Sequence, residues 1–130
     1  MTTFSSNLAP VILVADDSIA IASMVSSRFA RSGYEVITAA NGEDALRLAR
    51  ERRPALAIVD IDMPGMSGLE VAVSLRDDPA TNAIPVILLT GYQREEDIAG
   101  GFAAGAVEYI TKPFSPQELE ARVERILGRR

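Results

Sequence analysis

The sequence predicts an α/β domain, a doubly wound parallel sheet with helices on both faces. Three observations point that way. Apolar runs and segments of helical periodicity alternate five times along the chain. The connections between them are short, which favours neighbouring parallel strands joined through a covering helix. The runs at 10–15, 55–60 and 84–89 are unbroken rather than alternating, as strands buried on both faces should be. A chain of 130 residues has room for one domain with one core.

The first strand, Pro10-Val11-Ile12-Leu13-Val14-Ala15, runs into Asp16-Asp17. From Ser18 the period changes: Ile21, Met24, Val25 and Phe29 share a helical face, and Gly33 marks the stop. Glu35-Val36-Ile37-Thr38-Ala39 is a shorter second strand. Asn41 is an N-cap before the acidic turn Glu43-Asp44, so a helix is expected to Arg52, closed by Pro54. The third strand, 55–60, ends in Asp60, and Ile61-Asp62-Met63-Pro64-Gly65 turns the chain. Ser67-Gly68-Leu69-Glu70 is a capping box opening a helix that ends before Pro79.

The fourth strand, 84–89, leads into Thr90-Gly91. A helix over 94–104 is weakened by Gly100-Gly101, at about 1 kcal/mol each relative to alanine. That pair reads either as plasticity or as a close-packing requirement. Residues 106–110 form the last strand, before Thr111-Lys112-Pro113. Ser115-Pro116-Gln117-Glu118 is a second capping box with proline at N1. Leu119, Val123, Ile126 and Leu127 stripe the final helix, which Gly128 ends.

The residues just past the strands are Asp16-Asp17, Asp60, Thr90-Gly91 and Lys112-Pro113. In a doubly wound sheet these ends share one edge, where ligands bind. Two carboxylates about 4 Å apart repel by roughly 4 kcal/mol at surface-type screening, so a cluster of three calls for a hard cation. All-oxygen ligands suit Mg²⁺, with Mn²⁺ as the other ion of that class. Lys112, the Thr90 hydroxyl and the Gly91 amide would then cover oxygens of a transferring phosphoryl group. A carboxylate nucleophile gives an aspartyl phosphate, and Asp60 on the central strand is the expected acceptor. Each feature alone has a plain structural reading: Asp16-Asp17 as a cap, Asp60-Ile61-Asp62 as a solvated turn, Thr90 as β-propensity, Lys112 as a surface cation, Tyr109 as packing. Their joint occurrence at successive strand ends favours the chemistry.

In these residues the chain resembles a receiver domain of the two-component response regulators. The matching positions are Asp16-Asp17, Asp60 with Met63-Pro64 and Gly68, Thr90, Tyr109, and Lys112-Pro113-Phe114. The resemblance covers about residues 10–128. It implies a flavodoxin-like (βα)5 fold with strand order 2-1-3-4-5. It implies phosphoryl transfer to Asp60 from a histidine kinase or histidine phosphotransfer protein. It also implies Mg²⁺ held by Asp17, Asp60, the Asp62 carbonyl and, through water, Asp16. Thr90 and Lys112 would contact the phosphate, Thr90 and Tyr109 would rearrange together, and the Lys112–Pro113 bond would be cis. The signal would leave through helix 94–104, strand 106–110 and helix 115–127, toward an effector, an output domain or a homodimer partner on the 94–127 surface. Such a chain catalyses only its own phosphorylation and dephosphorylation. Gly91 stands where alanine is frequent. The Asp62 side chain, two past the acceptor, is expected either to repel the phosphoryl group or to orient hydrolytic water.

Composition narrows the alternatives. There is no histidine and no cysteine, which excludes histidine acid–base chemistry, a histidine phosphate carrier, thiolate metal sites and disulfides. A net charge of −5 disfavours direct nucleic-acid binding. No apolar run approaches a membrane span. Residues 1–9 are polar, lack a signal-peptide pattern and read as a flexible leader. The expected location is cytoplasmic. Two rival readings stand beside the receiver: a haloacid-dehalogenase-like phosphatase using Asp60 and Asp62, and a phosphorylation-independent adaptor on the same fold.

Overall fold

The structure, a computed structural model, describes residues 9–91 and 95–128, with the backbone alone over 95–98. Apart from Ala9, the expected leader lies outside the described residues. The elements are β1 (Val11–Ala15), α1 (Ile19–Arg31), β2 (Glu35–Ala39), α2 (Gly42–Arg52), β3 (Leu56–Asp60), α3 (Gly68–Asp77), β4 (Val86–Thr90), α4 (Glu95–Ala103), β5 (Glu108–Thr111) and α5 (Pro116–Leu127). The five strands form one sheet in the order β2-β1-β3-β4-β5, and every pairing is parallel. Both the alternation and the strand order are those expected.

Local chemistry explains the helix starts. Ser18, Asn41 and Ser67 each accept an amide from their own first turn. At Ser67 the capping box is complete: Glu70 N donates to Ser67 Oγ and Ser67 N to Glu70 Oε1. The second box is only half built. Glu118 N donates to Ser115 Oγ at 2.9 Å, but the Glu118 carboxylate pairs with Arg122, one turn along, instead of returning to Ser115. At the end of α1 the chain reverses through Gly33, whose φ of 95° suits glycine, and Tyr34 N closes on Phe29 O.

Strand bounds shift by one or two residues, most at β4, which starts at Val86 rather than at residue 84, and at β5. β4 includes Thr90, because Thr90 pairs with Thr111. β5 begins at Glu108 rather than at residue 106, because Ala106 N donates to Gly101 O, in α4, at 3.1 Å. Ala106 therefore belongs to the turn that closes α4.

The sheet separates two apolar layers. On one side Val25 and Phe29 of α1 and Leu119 and Val123 of α5 pack on Ile12, Ile58 and Ile87. On the other, Ala45 and Ala49 of α2 and Val71 and Leu75 of α3 pack on Leu13, Val59 and Leu88. Every residue of β3 and β4 is buried, and the edge strands β2 and β5 are partly open. Unbroken apolar runs thus fall at the centre of the sheet, where both faces are covered.

One ion pair ties the first helix to the last. Arg28 Nε meets Glu120 Oε1 at 2.6 Å, with Glu120 buried. Burial pushes the Glu120 carboxyl upward, but hydrogen bonds from Ser32 and Arg28 outweigh it and hold the pKa below the ordinary 4.5. A lowered carboxyl contributes stability that is complete above its unfolded value and lost as pH falls through its folded one. Glu120→Ala is expected to cost about 1–2 kcal/mol, between surface and buried pairs. Urea denaturation at pH 7 checks the cost. The difference between the variant and the parent should shrink below the ordinary glutamate range.

Candidate functional site

The parallel register builds the site. Ala15 pairs with Val59, so Asp16 and Asp60 follow at one level on adjacent strands. Leu89 pairs with Asp60, and Thr90 with Thr111, which brings Thr90 and Lys112 to the same edge. Carboxylate oxygens of Asp16, Asp17 and Asp60 all lie within 4.8 Å of one another. Lys112 Nζ reaches Asp16 Oδ2 at 3.2 Å and Asp60 Oδ1 at 3.3 Å. Residues far apart in sequence therefore converge as expected, and the Lys112–Pro113 bond is cis.

Burial makes the convergence costly. Asp60 is 2% exposed and Asp16 3%. Burial, then repulsion from Asp16, raise the Asp60 pKa above its ordinary 3.8, against the opposing pull of Lys112 and the Asp62 amide. Burial alone would lower the Lys112 pKa, but Asp60 and Asp16 outweigh it and the net shift is upward. Three carboxylates face one ammonium, so a fully ionised cluster keeps two negative charges uncompensated by Lys112. That excess and the all-oxygen donor set fit a divalent hard cation.

Backbone amides orient the acids. Ser18 N donates to Asp16 Oδ1 at 2.9 Å, and Asp62 N to Asp60 Oδ1 at 3.3 Å. The Asp62 carboxylate, on an exposed residue, accepts from Thr90 Oγ1 at 3.4 Å. Tyr109 pairs with Leu88, two positions before Thr90 on β4, so Thr90 and Tyr109 lie diagonally on one face of the sheet. The Tyr109 hydroxyl is buried. Gly68 has a steric role: a Cβ there would lie 2.4 Å from the Asp60 carbonyl oxygen and 2.8 Å from Ile61 Cα. α3 thus starts directly against the backbone that carries the central acid.

The sequence reading missed two contributors. Ser18 enters the sequence reading only as the point where the period changes, yet its hydroxyl caps α1 and its amide fixes Asp16; an acid two residues before a helix-capping serine is the available signal. Arg76 of α3 donates to Ala103 O at the end of α4 at 2.9 Å, and no local pattern announces that contact.

A family model described as the response regulator receiver domain matches residues 12–124. The alkaline phosphatase synthesis transcriptional regulatory protein PhoP of Bacillus subtilis is 42% identical over 118 residues, covering 91% of this chain and 48% of the relative. The phosphate regulon transcriptional regulatory protein PhoB of Pseudomonas aeruginosa is 41% identical, with 91% and 52% covered. The chain therefore spans about half the length of these curated relatives. Among solved structures, chemotaxis protein CheY4 of Vibrio cholerae superposes with a TM-score of 0.87 at 36% identity, over 92% of this chain and 99% of that one.

An acid held above its ordinary pKa opposes folding once ionised, so the contribution of Asp60 to stability falls as pH rises from the ordinary value through the raised one. Asp60→Asn is expected to stabilise the cation-free protein at pH 7 by about 1–2 kcal/mol. Mg²⁺ at a hundred times its dissociation constant should stabilise the parent by about 2.7 kcal/mol, and clearly less in Asp17→Asn. Thermal melts with chelator and with Mg²⁺ check both.

Proposed function

The chain belongs to the response regulator receiver domain family, and on that premise we propose that it is a phosphorylation-driven signalling switch with Asp60 as acceptor. The observation that carries the reading is the meeting of buried Asp16 and Asp60 with Asp17 and Lys112 at one sheet edge. A cluster of like charges costs stability, and it is intelligible where a cation and a phosphoryl group are handled.

In the proposed reaction an Asp60 carboxylate oxygen attacks the phosphorus of a phosphohistidine on a histidine kinase or histidine phosphotransfer protein. A P–O bond forms, the P–N bond breaks, and the imidazole nitrogen keeps the electron pair and takes up a proton. Asp16, Asp17, Asp60 and the Asp62 carbonyl would hold Mg²⁺ or Mn²⁺, which supplies positive charge to the phosphoryl oxygens. Lys112, already between Asp16 and Asp60, offers its ammonium to the incoming group. The Thr90 hydroxyl and the Gly91 amide offer hydrogen bonds.

The switch would be the exchange of Thr90 from Asp62 to the phosphate, followed by a shift of Tyr109. The readout surface would be α4, β5 and α5, facing an effector, an output domain or a second copy. The proposed catalysis is limited to the chain's own phosphorylation and dephosphorylation. No helix among the described residues is long and apolar enough to cross a membrane. A cytoplasmic location and the absence of direct nucleic-acid binding by this domain complete the proposal.

Incubation with acetyl phosphate and Mg²⁺ should give a single phosphoryl adduct by intact mass, mapping to Asp60 and absent from Asp60→Asn. Lys112→Ala should slow its formation by roughly 100-fold, the scale of losing one donor to a developing charge. Continuous release of phosphate from a phosphomonoester would instead favour the phosphatase reading, and unchanged signalling by Asp60→Asn in cells the adaptor reading. Asp62→Asn removes one exposed negative charge at the rim, worth about 1 kcal/mol at bulk-water screening, and should speed adduct formation several-fold. Timed mass spectra check that rate.

A further inference from the structure

We propose that Gly101 is a positioning residue, the bare stretch of α4 on which the Tyr109 ring is seated, so that helix and ring occupy one shared space. The inference deepens the switch reading of Tyr109 given above and rests on it for its signalling meaning. A Cβ on Gly101 would lie 3.0 Å from Tyr109 Cδ2, 3.2 Å from Tyr109 Cε2 and 3.1 Å from Leu88 Cδ1. A Cβ on the adjacent Gly100 would meet nothing within 4 Å. Two neighbouring glycines of one helix are thus unlike: the first faces open space, and the second admits an aromatic ring.

Its surroundings decide what yields. Leu88 is fully buried on β4 and pairs with Tyr109. The Gly101 carbonyl is fastened by Ala106 N at 3.1 Å, and the end of α4 is held by Arg76 through Ala103 O at 2.9 Å. Neither the core leucine nor the helix backbone can retreat without losing packing or a hydrogen bond. Tyr109 is half-buried on an edge strand, with Phe102 at a ring-centroid distance of 6.5 Å. A half-buried ring on an edge strand has more room to yield than a packed core leucine or a helix backbone. A methyl group on Gly101 would make the ring give by a few tenths of an ångström, and an inward shift of α4 would press on it in the same way. The bare Gly101 backbone therefore sets how closely α4 and the ring on β5 can approach.

The test compares Gly101→Ala with Gly100→Ala in the full chain, free of cation and phosphodonor. Both add the same helix propensity, and only one adds a collision. Nuclear Overhauser contacts between the Tyr109 ring and the Leu88 methyl groups should weaken in Gly101→Ala and stay unchanged in Gly100→Ala. Unchanged contacts in Gly101→Ala, or equal weakening in both, overturn the proposal. A second measurement serves if Gly101→Ala folds too poorly for spectroscopy. In a Tyr109→Ala background, Gly101→Ala should lower the folding equilibrium constant at least tenfold less than it does with tyrosine present. Equal losses in the two backgrounds overturn the seat. Adduct formation at Asp60, measured separately by intact mass, keeps the two ideas apart: its failure removes the switch reading and leaves the steric result standing.

Discussion

The structure turns on electrostatic repulsion held in place at one edge of a sheet. Asp16 and Asp60 are almost completely buried, stand at the same level on adjacent strands, and are joined by Asp17 from the rim. Lys112 bridges the two buried acids but supplies one positive charge against three negative ones. The rest of the domain can be understood as the framework that keeps those groups from separating. A fully packed interior resists such relaxation because moving either strand would open voids on both of its faces.

The framework is built from parallel strands whose carboxyl ends coincide, and from turns that leave no slack. Amides of Ser18 and Asp62 fix the two buried carboxylates, and Gly68 lets the start of α3 lie directly on the Asp60 backbone. Fixed dipoles and charges of this kind act on an arriving anion without having to reorganise first. Holding the acids together costs stability locally. The apolar layers on both faces of the sheet offset it.

From that edge a line of contacts leads outward. Thr90 reaches the Asp62 carboxylate, Tyr109 lies diagonally from Thr90 on the same face, and Gly101 of α4 lies against the Tyr109 ring. The line runs from a charged, buried centre to a half-buried ring on an edge strand and then to a helix whose end is fastened by Ala106 N and Arg76. Such a line suits the proposed switch, a change of charge at one end and a change of shape at the other.

The amino-acid pattern alone determined the class of fold and which residues meet at the edge of the sheet. Unbroken runs at 10–15, 55–60 and 84–89 could only be central strands, and the acids, threonine and lysine that follow such runs must share one edge. Those are consequences of short-range periodicity, which a linear sequence displays directly. Contacts between elements were another matter. Whether Glu118 returned to Ser115 or turned to Arg122 depended on the partner one turn along, and the pairing of Arg28 with Glu120 spans 92 positions. The Gly100-Gly101 pair carried two readings because propensity sees both residues alike. Only the tertiary structure separated them, by placing Tyr109 and Leu88 against one glycine and open space beside the other. Local preference is written residue by residue, whereas steric exclusion exists only between surfaces that folding has brought together.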